Sequence, residues 1–126
     1  MSNLKRMMNI LNANSSHRKY TVKTIDMGDS GYYRINKWFD VEINPSCIPR
    51  ESLASVFLWC CYTSPDEGTV YRSVANVRRI KFDEVDGIVS QWAKEIKQKK
   101  LISYKAEQLD CDKLYECCQA PNKPVK

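Results

Sequence analysis

The chain is short of histidine, of glycine and of long apolar runs, and each shortage removes a class of function. Its single histidine, His17, allows no histidine pair for a metal centre and leaves one imidazole base for any thiol or hydroxyl nucleophile. Its longest apolar run, residues 56–62, is far below the roughly 18 residues a membrane-spanning helix needs. With four glycines and five prolines it is neither collagen-like nor low in complexity. The one glycine cluster, residues 28–31, is too short to cradle a phosphate and carries turn chemistry instead. At the N-terminus Lys5 and Arg6 are followed by no apolar stretch, because Asn9, Asn12 and Asn14 interrupt it. No export signal is legible, so the expected location is cytoplasmic, or the host cytoplasm for a viral chain, with reduced thiols.

The six cysteines are arranged against a zinc site. Cys60-Cys61 and Cys117-Cys118 are adjacent pairs, Cys47 and Cys111 stand alone, and the spacing C-x-x-C does not occur. Neighbouring side chains diverge on a strand and converge only partly on a helix. Buried, unreactive thiols are therefore the expectation, with no metal and no cofactor.

What is present is enough for a core. The 126 residues are 43% hydrophobic, and a chain of this size buries roughly two-thirds of its unfolded surface. Leu4, Met7, Met8 and Leu11 recur at helical spacing behind Ser2, a good N-cap, and predict a short helix over 3–13. The period then changes to two. Residues 20–25 alternate as a strand, and 28–31 form the next turn. Residues 32–43 read as one long strand. Tyr33, Ile35, Phe39, Val41 and Ile43 lie on its oily face, broken by Lys37, with Tyr32, Arg34, Asn36, Trp38, Asp40 and Glu42 on the other. Residues 55–63 are continuously apolar and predict a central strand buried on both faces. A fourth strand over 69–82 has a parity mismatch that predicts a bulge or an early end near Asn76.

Residues 83–100 predict a helix. Asp83 stands as N-cap, Val85, Ile88, Val89, Trp92 and Ile96 form one stripe, and Lys97, Lys99 and Lys100 sit at the C-terminal end. Gly87 inside it suggests close approach to a strand. Residues 107–119 predict a last helix, with Cys111, Leu114, Tyr115 and Cys118 on one face. The expected fold is α+β over residues 1–120. A small antiparallel sheet of about four strands, in two hairpins, carries an N-terminal helix and two C-terminal helices on one face, followed by a solvated tail at 121–126.

No constellation specifies a reaction. His17 lies beside Arg18 and Lys19, and Asp83, Glu84 and Asp86 are explained by their place at a helix start. The basic surplus, net +5, and the aromatics point instead to binding. Tyr, Trp and Arg are the usual interface anchors, and Tyr32, Arg34, Lys37 and Trp38, flanked by Arg78 and Arg79, form the expected partner-binding surface. A protein partner is favoured, in the manner of the small inhibitors and adaptors that phages and mobile elements direct at host defence enzymes. The alternatives are an RNA- or DNA-binding sheet face and a small enzyme without a familiar motif. No membrane partner is expected, and the oligomeric state stays open.

Overall fold

A computed structural model of the protein describes residues 2–15, 17–25, 28–64, 68–100 and 102–104. The first helix, α1 (Asn3–Asn14), starts where Ser2 accepts a hydrogen bond from the Lys5 N–H at 3.1 Å. Five strands follow, β1 (Thr21–Ile25), β2 (Gly28–Arg34), β3 (Phe39–Pro45), β4 (Leu53–Ser64) and β5 (Gly68–Lys81). They form one antiparallel meander in chain order. A 3-10 turn over Phe82–Glu84 leads into α2 (Val85–Gln98). No helix among the described residues is long and apolar enough to cross a membrane.

The core lies on one side of the sheet. Val41, Ile43, Val56, Leu58 and Cys60 alternate toward it and are fully buried. The helices cover them with Met7 and Leu11 from α1 and Val85, Val89 and Trp92 from α2, all equally buried. The Trp92 indole N–H donates to the Ser103 carbonyl at 2.8 Å, and Glu95 receives the Ser103 backbone N–H at 3.1 Å. These contacts fasten residues 102–104 to α2, and the Tyr104 carbonyl then accepts the Asn76 N–H of the edge strand β5 at 2.9 Å. Asparagine lowers the helix propensity of α1 but secures its position. Asn3 donates to the Ser46 and Ile48 carbonyls at 2.9 and 2.8 Å, and Asn12 exchanges hydrogen bonds with the Tyr20 backbone.

The α+β class and the one-sided helical layer agree with the sequence. The strand count does not, because the stretch 32–43 falls in two strands and the sheet has five among the described residues. The turn between them lies at residues 35–38 and contains neither Gly nor Pro. Asn36 builds it, accepting the N–H groups of Trp38 and Phe39 at 2.8 and 3.0 Å. Arg34 clamps it by donating to the Asn36 and Lys37 carbonyls, both at 3.0 Å. The pairs Tyr33↔Val41 and Arg34↔Asp40 keep parity the same on both sides of the turn, so the alternation resumes in phase after it and conceals it, with Lys37 its one break on the oily face.

Residues 28–31, read as a turn, belong to β2. A Cβ on Gly31 would stand 3.0 Å from the Met7 methyl and 3.3 Å from both Met8 Sδ and Ile43 Cβ. The missing side chain is the seat of α1 on the sheet. Gly87 has no such role, since nothing lies within 4 Å of an added Cβ. β4 is not buried on both faces: Ala54, Val56, Leu58 and Cys60 are buried while Ser55, Phe57, Trp59 and Cys61 are half-exposed. It is also off-centre, between β3 and β5. The parity mismatch of β5 has a structural cause in two register shifts flanking Asn76, and at the second Arg79 takes a left-handed φ of 55°. Asp83 makes no side-chain cap and lies in the 3-10 turn. The predicted helix over 107–119 and the tail at 121–126 lie outside the described residues.

A polar cluster ties the α1–β1 connection to the start of α2. Arg18 pairs with Asp86 through Nε at 3.1 Å and Nη2 at 3.4 Å, and the Tyr20 hydroxyl donates to Asp86 Oδ1 at 2.5 Å. Burial pushes the Asp86 carboxyl up, but the hydrogen bonds from Arg18 and Tyr20 and the Arg18 charge outweigh it and hold it below the usual range. Burial, with the bond to Asp86, raises Tyr20 far above an ordinary phenol.

Two predictions follow from these contacts. Gly31→Val should lower the urea-unfolding free energy by about 1–3 kcal/mol through overpacking, while Gly87→Ala should raise it by about 0.5–1 kcal/mol. Asp86→Asn should cost about 1–3 kcal/mol at neutral pH by stripping Arg18 and Tyr20 of their acceptor. The Asp86 contribution is complete above the unfolded carboxyl value of 3.8 and disappears as pH falls through the lower folded value. Urea midpoints measured from neutral into acid should therefore converge for the wild type and the variant.

Candidate functional site

The sheet face opposite the helices is built by the second parity of β1 to β4 and by residues of β5 whose parity changes at its register shifts. Across its middle, cross-strand pairing sets Arg34, Asp40, Trp59 and Ser73 in one row and Thr21, Tyr32, Glu42, Phe57 and Asn76 in the next. Between them is a shallow depression of 490 Å³, lined chiefly by Lys23, Tyr32, Asp40, Glu42, Trp59 and Tyr71. Its aromatic rings come from β2, β4 and β5, and its two carboxylates both come from β3. Positions 40 and 42 share a face because side chains alternate along a strand.

The carboxylates are held differently. Glu42 accepts the Trp59 indole N–H at 2.9 Å through Oε1 and the Asn44 amide at 2.8 Å through Oε2. The Asn44 carbonyl oxygen in turn takes the Ser30 hydroxyl, which is buried beside it. Asp40 faces Arg34, with Nε 3.5 Å from Oδ1, and this oxygen is buried without a hydrogen-bond partner. Burial first, then the charge and hydrogen bonding of Asp40, push the Tyr32 hydroxyl up to about 12. The Lys23 ammonium lies over the Tyr32 ring, 4.5 Å from its centroid. Tyr71 is 63% exposed, and its hydroxyl is raised by hydrogen bonding with Cys61, its direct cross-strand partner.

Among the residues expected to bind a partner, Tyr32 and Arg34 share this face, although Arg34 is committed to the 35–38 turn and to Asp40. Lys37 and Trp38 lie in that turn, and Trp38 is half-buried against the core with the Lys37 ammonium 5.7 Å from its ring. Arg78 lies over the Phe57 ring at 5.5 Å. Arg79, in the bulge, pairs with Glu51 at 3.1 Å. The surface therefore divides into a central aromatic part and two flanking parts. Lys23, Trp59 and Tyr71 were not anticipated from the sequence. Trp59 belongs to a run apolar at both parities, where period two is invisible; its one signal is aromatic Phe57 and Trp59 alternating with aliphatic Val56 and Leu58.

The other candidate chemistry is dispersed. His17 is exposed in the α1–β1 connection. Cys60 is buried in the core, Cys61 is half-buried on the open face and Cys47 is exposed in the β3–β4 connection. Among the described residues no three His, Cys, Asp or Glu side chains converge to hold a metal ion. Comparison with protein-family models, curated proteins and solved structures finds no match.

Burial, Asp40 and, more weakly, Tyr71 raise Tyr32, and replacing Asp40 with Asn removes the charge of the second. The Tyr32 hydroxyl should then titrate below about 12 in an ultraviolet or NMR titration, moving toward the ordinary 10. In the wild type the stability tied to this shift is complete below pH 10 and is lost as pH rises toward about 12.

Proposed function

We propose that this protein is a binding module whose partner is another protein, and that the sheet face opposite α1 and α2 is the contact surface. The observation that carries the reading is the composition of that face at its centre. Tyr32, Phe57, Trp59 and Tyr71 supply large, stiff, amphipathic area, and Lys23, Arg34, Asp40, Glu42 and Arg78 supply charge of both signs. Aromatic anchors with mixed charge suit a protein interface. A face for single-stranded nucleic acid pairs stacking rings with a groove of positive charge. Here Asp40 and Glu42 occupy the ground between the rings, Arg34 is engaged with Asp40, and Arg79 with Glu51. Phosphates laid across the face would meet carboxylates.

Photo-crosslinking tests this. A benzophenone amino acid replacing Tyr71 should capture a protein in extract of the source organism, with the adduct surviving nuclease treatment. The same group at the exposed α2 position Lys94 should not. Trp59→Ala and Tyr71→Ala should each weaken the captured complex by about tenfold or more, the loss expected of an interface anchor. An adduct that vanishes with nuclease, or that falls steeply with salt, would replace this reading with the nucleic-acid one. Equal capture from both faces would remove it.

A further inference from the structure

We infer that the depression on the open face receives a basic side chain, an arginine or lysine of the protein partner. The inference rests on the protein-binding reading above and specifies the chemistry of its central contact.

The charge of the lining is the first argument. The chain carries net +5, yet the lining holds two carboxylates: Asp40 is paired with Arg34, and Glu42 has only the Lys23 ammonium in the same depression. Both hydrogen bonds to Glu42, from the Trp59 indole and the Asn44 amide, come from neutral donors. They fix the carboxylate in place and leave its charge uncancelled, and no lysine or arginine among the described residues pairs with it. Asp40 Oδ1, buried and without a hydrogen bond, stands 3.5 Å from the Arg34 guanidinium, longer than a charge-assisted bond. An incoming donor would therefore meet an oriented acceptor at Glu42, with Asp40 already turned to Arg34.

The rings are the second argument. Aromatic faces attract cations, and rings grouped with carboxylates form a site for an ammonium or guanidinium group. This face already binds a cation in that manner within the chain, with Lys23 Nζ 4.5 Å from the Tyr32 centroid. Trp59 and Tyr71 line the same depression from the neighbouring strands β4 and β5. A planar guanidinium laid against them would keep its N–H groups toward Glu42. An acidic or phosphorylated side chain in the same place would be repelled by Glu42, and an aliphatic one would leave Glu42 without a cationic partner.

The test titrates the full chain with four small probes, the N-acetyl methylamides of arginine, lysine, norleucine and glutamate, while following the Trp59 indole N–H by NMR. The arginine or lysine probe should shift that resonance saturably in the millimolar range. Norleucine should bind at least about fivefold more weakly, the difference expected of an added cation–π contact. Glu42→Gln should reduce the basic probe's affinity by a similar factor, while Glu84→Gln, on the exposed 3-10 turn, should not. No saturable shift, or equal binding of norleucine or glutamate, would overturn the inference. The captured partner separates the two readings. If its complex is weakened by Trp59→Ala but not by Glu42→Gln or Asp40→Asn, the basic contact falls and the interface stands. If Tyr71 captures no protein, the interface falls, and the partner assignment with it even where an arginine probe binds.

Discussion

Everything in this fold depends on the sheet burying only one of its faces. Val41, Ile43, Val56 and Leu58 are sealed beneath α1 and α2, and among the described residues no helix covers the second parity of the same strands. A meander in chain order makes this possible without crossovers, because every connection turns back within the sheet and both helices remain free to cover the same side. One-sided burial explains why adjacent residues have opposite fates. Leu58 is wholly buried, and its neighbour Trp59 presents an indole N–H to Glu42.

The helical layer needs more than apolar area to keep its place. α1 sits low over β2 because Gly31 has no Cβ to hold Met7 and Met8 away. Its asparagines reach the neighbouring backbone, and the Arg18–Asp86–Tyr20 cluster ties the segment after α1 to the first turn of α2. Hydrogen bonds to ionised groups are stronger and more directional than apolar contacts, which slide. The same economy operates on the open face, where Ser30, Asn44, Glu42 and Trp59 form one connected chain of hydrogen bonds. A surface held this rigidly loses little side-chain freedom when a partner binds.

The helices were legible in outline because their apolar residues recur at a period no strand shares. Ser2 marked the start of α1, and Val85, Val89, Trp92 and Ile96 marked the buried stripe of α2. The turn at 35–38 was not legible, since its work is done by the Asn36 side chain and the Arg34 guanidinium rather than by Gly or Pro, and since parity is the same on both sides of it. Gly31 illustrates the opposite error. Glycine is common in turns, but here it serves a close approach to Met7 and Met8 of α1, more than twenty residues earlier in the chain. Of the candidate surface, Tyr32 and Arg34 could be assigned to one strand face, whereas Trp59 and Tyr71 could not be joined to them without the order of the strands.

The sequence by itself determined the α+β class, the two apolar helix stripes and the polar parity of residues 32–42. These follow from local periodicity, and periodicity is a property of neighbouring residues. Only the tertiary structure decided that residues 32–43 fall in two strands, that β4 has a half-exposed face, and that Tyr32, Asp40, Glu42, Trp59 and Tyr71 surround one depression. The reason is physical. Residues from four strands meet there through cross-strand register, and register is set by pairing between segments far apart in the chain, so no local pattern encodes it.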